Sequence, residues 1–284
     1  METKIRKPWL AGLLAILNPA VGYAYVGKLQ KGIIISLLLL FLYPSLVIFL
    51  KVRITKIALL CLVATPIIII FILFTDCYKT AKEYNISYEL KSYNRWWVYL
   101  FLYIFFGVFL TSLSQSYTRN NLIQAFKIPA ASMLPTLEIG DHLLVDKSIY
   151  KKSSIQRGDI IVFPMPKKPQ IEYIKRVIAL PGDTIEIINK EVFINGNKEK
   201  DSYSIHLDAR IFEKGISPRD NFGPIEIPDG NVFVMGDNRD NSYDSRFFGF
   251  IPIQSVKGKS VQIYWSWDKK TASVRWYRIG KSLK

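Results

Sequence analysis

The stretch that decides the fold is "IEYIKRVIALPGDTIEIINKEVFING", residues 171–196. It holds two short runs, 171–180 and 184–196, that are rich in β-branched and aromatic side chains and bounded by turn residues. Between them, "LPGD" at 180–183 is typical of a tight turn. The Asn-Gly pair at 195–196 is a strong hairpin-turn signal. The stretch therefore predicts β-strands joined by tight turns.

Four further runs of the same character lie on either side of it. No long run with a helical period interrupts them, and residues 201–228, which lack clear alternation, are predicted to form an irregular excursion. We therefore expect a mostly β protein, with one all-β domain of coiled sheet over residues 116–284. The four runs are HLLVDKSIY (142–150), DIIVFPMP (159–166), NVFVMGD (231–237) and SVQIYWSW (260–267).

The chain before residue 115 has a different character, because its apolar residues are concentrated in long runs without internal charge. Runs at 31–50, 56–74 and 96–114 are each close to the length of about 20 residues that a membrane-spanning helix needs. A fourth run at 9–28 is broken by Asn18 and Pro19, which predicts a re-entrant or kinked segment. We expect a membrane region over 1–95 and a transmembrane anchor helix over 96–115.

Two basic loops flank the predicted span at 56–74. They would lie on opposite sides of a membrane, so the positive-inside rule cannot place both in the cytoplasm. The second loop is longer, holds more cations and adjoins the last span, so we expect it in the cytoplasm and everything after residue 115 outside. The cations are Lys51, Arg53 and Lys56 in the first loop, and Lys79, Lys82, Lys91 and Arg95 in the second.

Charge and cysteine content exclude several classes of function. The 284 residues carry a net charge of +15, but the cations flank the spans or are scattered, so anionic lipid head groups are the expected partner rather than nucleic acid. Both cysteines, Cys61 and Cys77, precede residue 115, which leaves no disulfide or thiolate site in the β domain. With only His142 and His206 as histidines, we expect no metal and no cofactor.

A serine in "KIPAASMLPTLEIGD", residues 127–141, is the first candidate for chemistry. Ser132 has no histidine beside it in the sequence, although a Ser-His-Asp triad using His142 or His206 stays open from the residues alone. The other candidate base is a lysine, which is protonated at neutral pH unless desolvation lowers its ordinary pKa of about 10.4.

Lys175 is placed to be such a lysine. In a strand it shares one face with Tyr173 and Val177, so its amine can lie against apolar surface, while Arg176 points to the other face. A solvated strand lysine is the competing interpretation of this run taken alone.

Four segments, taken together and in order, resemble the conserved boxes of bacterial type I signal peptidases, the leader peptidases. The resemblance covers about residues 96–267, including the predicted span before the first box. It implies a membrane-bound serine endopeptidase with a coiled β-sheet fold. The segments are "IPAASMLPTLEIGDHLLVDK" (128–147), "RGDIIVFPMP" (157–166), "YIKRVIALPGD" (173–183) and "MGDNRDNSYDSRFFGFIP" (235–252).

The resemblance also implies roles for individual residues. Ser132 matches the nucleophile and Lys175 the general base of an acyl-enzyme mechanism. Ser242 matches a serine that hydrogen-bonds and orients the lysine, and Asp244 and Arg246 match an ion pair that supports the site. Four neighbouring polar residues suit a turn network that serves as scaffold. They are Asp237, Asn238, Arg239 and Asp240.

The substrate pocket is implied in the same way. Ile128, Met133, Tyr173 and Ile174 should line a shallow apolar pocket that accepts small side chains and rejects large ones. Many relatives have serine or glycine two residues before the nucleophile, where a serine hydroxyl donates to the oxyanion. This chain has Ala130, which widens the pocket and cannot donate, so we expect a compensating donor or a slower enzyme.

Substrate and location follow from the resemblance. The expected substrates are signal peptides of secreted pre-proteins, cut after small residues of the Ala-x-Ala type at the outer face of the bacterial cytoplasmic membrane. The lipid bilayer and the secretion translocon are the expected partners. Two alternatives stay open: a Ser-Lys peptidase with a specialised substrate, and a non-catalytic membrane scaffold.

Overall fold

The computed structural model describes residues 3–50, 56–84 and 88–283. The chain divides into two compact units, Met1–Asn120 and Asn121–Lys284. The first is helical and the second is mostly antiparallel β-sheet, which confirms the predicted fold class.

The N-terminal unit is built of apolar helices with one pair of short antiparallel strands, β1 and β2. The last helix is continuous and widens into π-helical turns at Tyr103–Leu110. In chain order the elements are β1 (Thr3–Lys4), α1 (Pro8–Leu17), α2 (Pro19–Tyr25), α3 (Leu29–Leu50), α4 (Lys56–Glu83), β2 (Tyr88–Glu89) and α5 (Trp96–Asn121).

The break between α1 and α2 has a local cause. Asn18 has an extended backbone, with φ −162° and ψ 125°, and its side chain accepts a hydrogen bond of 2.9 Å from the backbone N–H of Ala20. This is the geometry of an N-cap, and Pro19 follows at the first helical position, where no N–H is needed. The segment predicted to be kinked at 9–28 is thus two short helices.

Two helices among the described residues are long and apolar enough to cross a membrane. Val63–Glu83 and Trp96–Asn121 overlap the runs predicted at 56–74 and 96–114. The apolar stretch Leu29–Leu42 of α3 is too short to be counted with these two helices.

The basic loops on which the predicted orientation depends are only partly described. Lys51 and Arg53 lie outside the described residues. Lys79 and Lys82 lie in α4 rather than in a loop, because this helix continues to Glu83. The orientation of the chain across a membrane therefore stays a prediction.

The described part of the C-terminal unit contains two antiparallel sheets, one short α-helix and three single turns of 3-10 helix. The larger sheet has the order β12-β11-β6-β5-β13-β4-β3, with β14 on β13, and the smaller has the order β10-β7-β8-β9. Their elements are β3 (Ile123–Lys127), β4 (Asp141–Asp146), β5 (Ile160–Met165), β6 (Lys168–Ala179), β7 (Thr184–Ile188), β8 (Glu191–Ile194), β9 (Asn197–Lys198), β10 (Phe222–Glu226), β11 (Asn231–Met235), α6 (Ser245–Phe248), β12 (Ile251–Pro252), β13 (Gly258–Asp268) and β14 (Ser273–Val274).

The predicted runs all form strands, with two corrections. The run at 184–196 is two strands, β7 and β8, because Asn189 and Lys190 adopt positive φ values of 49° and 74° and turn the chain. The excursion at 201–228 is not wholly irregular, since β10 pairs with the edge of β7. The predicted Asn-Gly turn at 195–196 is confirmed by positive φ at both residues, 52° and 77°.

Strand β6 crosses the centre of the larger sheet, but its two edges are paired over different lengths. β5 pairs with it from Lys168 to Arg176, whereas β11 pairs with it only from Arg176 to Ala179. Within the described residues, no strand pairs with the second edge of 171–175. This half of β6 is therefore an open edge next to the candidate site.

Candidate active site

Ser132 lies on the loop between β3 and β4, residues 128–140, here called the serine loop. Three apolar side chains of this loop, Ile128, Met133 and Leu137, belong to a core cluster formed with β4, β5 and β13. Because Met133 is buried directly after it, the half-buried Ser132 is held at the surface of the core rather than on a free loop tip.

The C-terminal segment braces the serine loop, which the sequence did not predict. Arg278 donates to both carboxylate oxygens of Asp141 at the end of the loop, and its Nη2 donates to the backbone oxygen of Thr136 at 2.8 Å. Leu283 packs into the same core cluster. The bond between Arg278 and Thr136 joins residues 142 positions apart. No local sequence pattern could reveal contacts of this kind.

The side chains of Ser132 and Lys175 meet. Lys175 Nζ lies 2.7 Å from Ser132 Oγ and 5.4 Å from the centre of the Tyr173 ring. The lysine is 4% exposed, and burial lowers its pKa to about 8, although the charges of Asp244 and Asp237 act in the opposite direction. Amine and hydroxyl are thus at hydrogen-bond distance, and the pKa of about 8 makes the amine mainly neutral above that pH.

The next residue, Arg176, points to the other face of β6, as the strand alternation predicted. Its Nε and Nη2 donate to the two carboxylate oxygens of Asp237 at 2.8 and 2.7 Å, and both side chains are buried. Its guanidinium also lies 4.0 Å from the centre of the Tyr203 ring. Arg176 is therefore a fixed structural cation that holds the turn containing Asp237.

That turn, residues 236–239, lies directly behind Ser132. The backbone N–H of Asn238 donates to Ser132 O and the Asn238 side-chain amide donates to Ala131 O, both at 3.1 Å. A Cβ atom on Gly236 would overlap Ser132 O and Ser242 Oγ, so only glycine allows this approach. The scaffold role predicted for this polar turn is consistent with these contacts, but its direct grip on the serine backbone was not foreseen.

The predicted ion pair between Asp244 and Arg246 is present and buried. Arg246 Nε and Nη2 donate to the carboxylate at 2.8 and 2.9 Å, and Gly236 N donates to it at 3.0 Å. Burial alone would raise the pKa of Asp244, but the charge of Arg246 and these hydrogen bonds hold that pKa below its ordinary value. The pair therefore fixes the start of the turn behind Ser132.

The hydrogen bond predicted from Ser242 to Lys175 does not form. Ser242 Oγ is buried and makes no hydrogen bond of good geometry with any described residue. It packs over Gly236, and its hydroxyl faces the carboxylate of Asp244, whose pKa it helps to lower, rather than the lysine amine.

A groove of about 420 Å³ opens onto the Ser132 and Lys175 side chains. Its walls are the first residues of the serine loop and the open edge of β6. All five residues predicted to bind substrate line it, together with the exposed ring of Tyr243, which no sequence pattern had singled out. The five are Ile128, Ala130, Met133, Tyr173 and Ile174.

Neither histidine belongs to this groove. His142 contacts Tyr264, and burial together with the charge of Lys127 lowers its pKa. His206 lies 3.4 Å from Asp240 in the polar excursion. The geometry thus favours the lysine over a histidine as the partner of the serine. Among the described residues there is also no cluster of three or more side chains that could hold a metal ion.

Comparison with known proteins identifies the family of this chain. Residues 93–265, more than half of the chain, match the family described as signal peptidase, peptidase S26. The chain belongs to this family. Membership makes it a serine peptidase of the class that removes signal peptides, and it confirms the resemblance drawn from the four sequence segments.

Two curated sequence relatives support the same assignment. A signal peptidase I of Aquifex aeolicus is 34% identical over 210 residues, covering 56% of this chain and 82% of the relative. A probable signal peptidase I-1 of a Synechocystis strain is 43% identical over 141 residues, covering 47% of this chain and 67% of the relative. A solved signal peptidase I from Enterococcus faecalis is 33% identical with a TM-score of 0.30, covering 38% of this chain and 97% of its own.

Proposed function

We propose that this signal peptidase is a membrane-anchored endopeptidase in which Ser132 is the nucleophile and neutral Lys175 the general base. The observation that carries the proposal is the 2.7 Å contact between Lys175 Nζ and Ser132 Oγ inside a buried site. Because burial lowers the lysine pKa to about 8, a useful fraction of the amine is neutral near pH 7 to 8.

The reaction then runs through an acyl-enzyme. Ser132 Oγ attacks the scissile carbonyl carbon while its proton passes to Lys175, which gives a tetrahedral oxyanion. Breakage of the C–N bond returns this proton from Lys175 to the leaving amine. A water molecule then attacks the ester as Lys175 takes a proton from it. Collapse of this second intermediate breaks the C–O bond to Ser132, and the proton passes from Lys175 to Ser132 Oγ as the acid is freed.

The groove supports an extended, small-residue substrate. Its walls are strand β3 continuing into the serine loop and the open edge of β6, so a peptide strand placed between them can use main-chain hydrogen bonds on both sides. Side chains of the Ala-x-Ala type fit a shallow apolar floor, which Ile128, Met133 and Ile174 provide. Ala130 and Tyr173 complete the proposed binding residues.

Three further residues are proposed to support the site from behind. Asp244 and Arg246 fix the 236–239 turn through their buried ion pair, and Ser242 packs against Gly236 of that turn. Their proposed effect on the reaction is indirect, through the position of the Ser132 backbone.

The apolar helices support a membrane location. We assign residues 1–95 to a membrane region, 96–115 to an anchor helix and 116–284 to a catalytic domain on the outer face of the bacterial cytoplasmic membrane. Signal peptides present their cleavage sites at that face as they leave the bilayer. The lipid bilayer and the translocon are the proposed partners in this arrangement.

The test is cleavage of a purified pre-protein with an Ala-x-Ala site by the full chain in detergent. Ser132→Ala and Lys175→Ala should each lower the rate by at least about 10³-fold, as expected when a nucleophile or its base is removed. Lys168→Ala, at the exposed start of the same strand, and Ser154→Ala, on an exposed loop, should keep the wild-type rate. Near-native activity of either site variant would refute the dyad.

The same assay separates the two alternatives. A specialised peptidase would cut one member of a panel of pre-proteins and leave the other Ala-x-Ala substrates intact. A non-catalytic scaffold would not be labelled at Ser132 by an acylating inhibitor, so labelling at this residue excludes it.

A further inference from the structure

The feature that goes beyond the dyad is the double contact between Asn238 and the backbone around Ser132. The Asn238 N–H donates to Ser132 O, and the Asn238 side chain donates to Ala131 O. One residue thus holds the peptide group before the serine and the peptide group after it.

The contact between the Asn238 side chain and the Ala131 carbonyl matters for the oxyanion. A peptide group is a rigid plane in which the C=O and the following N–H point in opposite directions. The Asn238 side chain therefore fixes the direction of the Ser132 N–H by holding the carbonyl of Ala131. This N–H makes no hydrogen bond with any described residue. Because the Ala131 carbonyl faces Asn238, the N–H points away from Asn238, at a residue that lines the groove.

The Ser132 N–H has to act without a neighbouring hydroxyl. Ala130 lines the groove at the position where a serine would supply a second donor. An oxyanion hole acts through donors that are already aimed when charge develops, so a site with one backbone donor depends strongly on its aim.

Asn238 is itself rigidly placed and acts as a donor. It is 1% exposed, and its neighbour Asp237 is clamped by Arg176. The side-chain Oδ1 of Asn238 is buried and has no hydrogen-bond partner among the described residues, so only the donating end of this amide is in use.

Resting on the proposed dyad, we infer that Asn238 is a positioning residue that aims the Ser132 N–H at the oxyanion. Ala131 O also accepts a bond of 3.2 Å from Leu134 N, so loss of the Asn238 amide loosens the peptide plane without freeing it. The expected loss in kcat is therefore about 10- to 100-fold, below the 10²- to 10³-fold typical of a deleted donor.

Asn238→Leu is the decisive variant. It nearly keeps the size of the side chain and it keeps the backbone bond to Ser132 O, but it removes the donor facing Ala131 O without adding a charge near Lys175. Asn238→Ala is the companion variant. The matched control is Asn221→Ala, because the Asn221 amide also donates to a backbone carbonyl, that of Phe212 at 2.8 Å, in the polar excursion.

The readout is specific for the oxyanion. A peptide aldehyde ending in Ala-x-Ala adds Ser132 Oγ to its carbonyl carbon, with the serine proton passing to Lys175, and leaves an oxyanion. The corresponding peptide alcohol binds the same groove without forming one. Both inhibition constants are measured on the full chain in detergent, normalised by titration of active sites so that only folded enzyme is counted.

In the Asn238 variants we expect the aldehyde-to-alcohol affinity ratio to fall about 10- to 100-fold along with kcat. KM, the alcohol affinity and the pH dependence of kcat/KM should stay as in the wild type, and Asn221→Ala should change none of these quantities. An unchanged ratio, a displaced pH profile or an equal loss in the control would each overturn the inference. If Ser132→Ala still cleaved, the proposed dyad would fail instead, whatever the ratio.

Discussion

Lys175 and Arg176 are neighbours on one strand and are almost equally buried, at 4% and 3% exposure, yet they are treated in opposite ways. Arg176 has a carboxylate in bidentate contact and stays charged. Lys175 has a neutral hydroxyl as its hydrogen-bond partner. Alternation along β6 thus separates an arginine held in a buried ion pair from the amine proposed as the general base.

Electrostatics explains why the difference is useful. A buried charge is tolerated when a counter-charge and hydrogen bonds replace the lost hydration, and otherwise the group tends to become neutral. The carboxylates nearest to Lys175 are already engaged, because Asp237 is held by Arg176 and Asp244 by Arg246. The two arginines therefore keep these acids in place. They also weaken the attraction between the two carboxylates and the protonated amine of Lys175.

The largest effect on the free energy of unfolding is expected when Arg176 is replaced. Arg176→Met leaves Asp237 buried without its partner, so the free energy of unfolding should fall by about 3–5 kcal/mol. Urea unfolding of the full chain in detergent, followed by tryptophan fluorescence, measures the change. A loss below about 1 kcal/mol would mean that the pair is not buried in solution.

Arg210→Met is the matched control for this variant. Arg210 also pairs with a carboxylate through its guanidinium, but its side chain is 76% exposed. Exposed pairs are screened by water and contribute little to stability, so the control should barely change the unfolding curve.

Much of the comparison could be predicted from the sequence. The alternation of "EYIKRVIAL" placed Lys175 and Arg176 on opposite faces, and the four conserved segments linked Lys175 to Ser132. Local pattern was sufficient because strand faces repeat every two residues. It could not show that Arg176 is buried too, because its partner Asp237 is 61 positions away.

The missed features share a physical cause. β10 pairs with a distant edge and buries none of its side chains fully, so it has no alternation to detect. The brace from Arg278 and the grip of Asn238 on Ala131 are likewise contacts between remote segments. Ser242 was assigned a bond to the lysine by resemblance alone, and packing over Gly236 overrides it.

Replacement of Lys175 is expected to have a smaller effect on the free energy of unfolding, and one of opposite sign. Lys175→Met should abolish cleavage yet raise the free energy of unfolding at pH 7 by about 3 kcal/mol. Burial lowers the lysine pKa to about 8 in the folded chain, and each pH unit between this value and about 10.4 in the unfolded chain is worth about 1.4 kcal/mol.

The sign of this effect fixes its pH dependence. The unfolded chain binds the lysine proton more tightly, so the wild type is penalised fully below about pH 8 and recovers as the pH rises to about 10.4. The advantage of Lys175→Met over the wild type should therefore shrink across this window in paired urea titrations. A constant advantage would mean that the gain comes from packing rather than from the buried amine.

The smallest expected effect is in the wild-type enzyme itself. If Lys175 must be neutral in the free enzyme, kcat/KM for a signal-peptide substrate should rise about tenfold per pH unit below its pKa and level off above about pH 8. The profile is measured in detergent at constant ionic strength, and the substrate concentration is kept well below KM at every pH. A rise that continues past pH 10 would mean that Lys175 is hydrated in solution and that its difference from Arg176 is one of partner only. A plateau near pH 8 would instead show that burial lowers the pKa of Lys175 enough to make it a base. The carboxylate of Asp237, paired with Arg176 on the other face of β6, would then not prevent this.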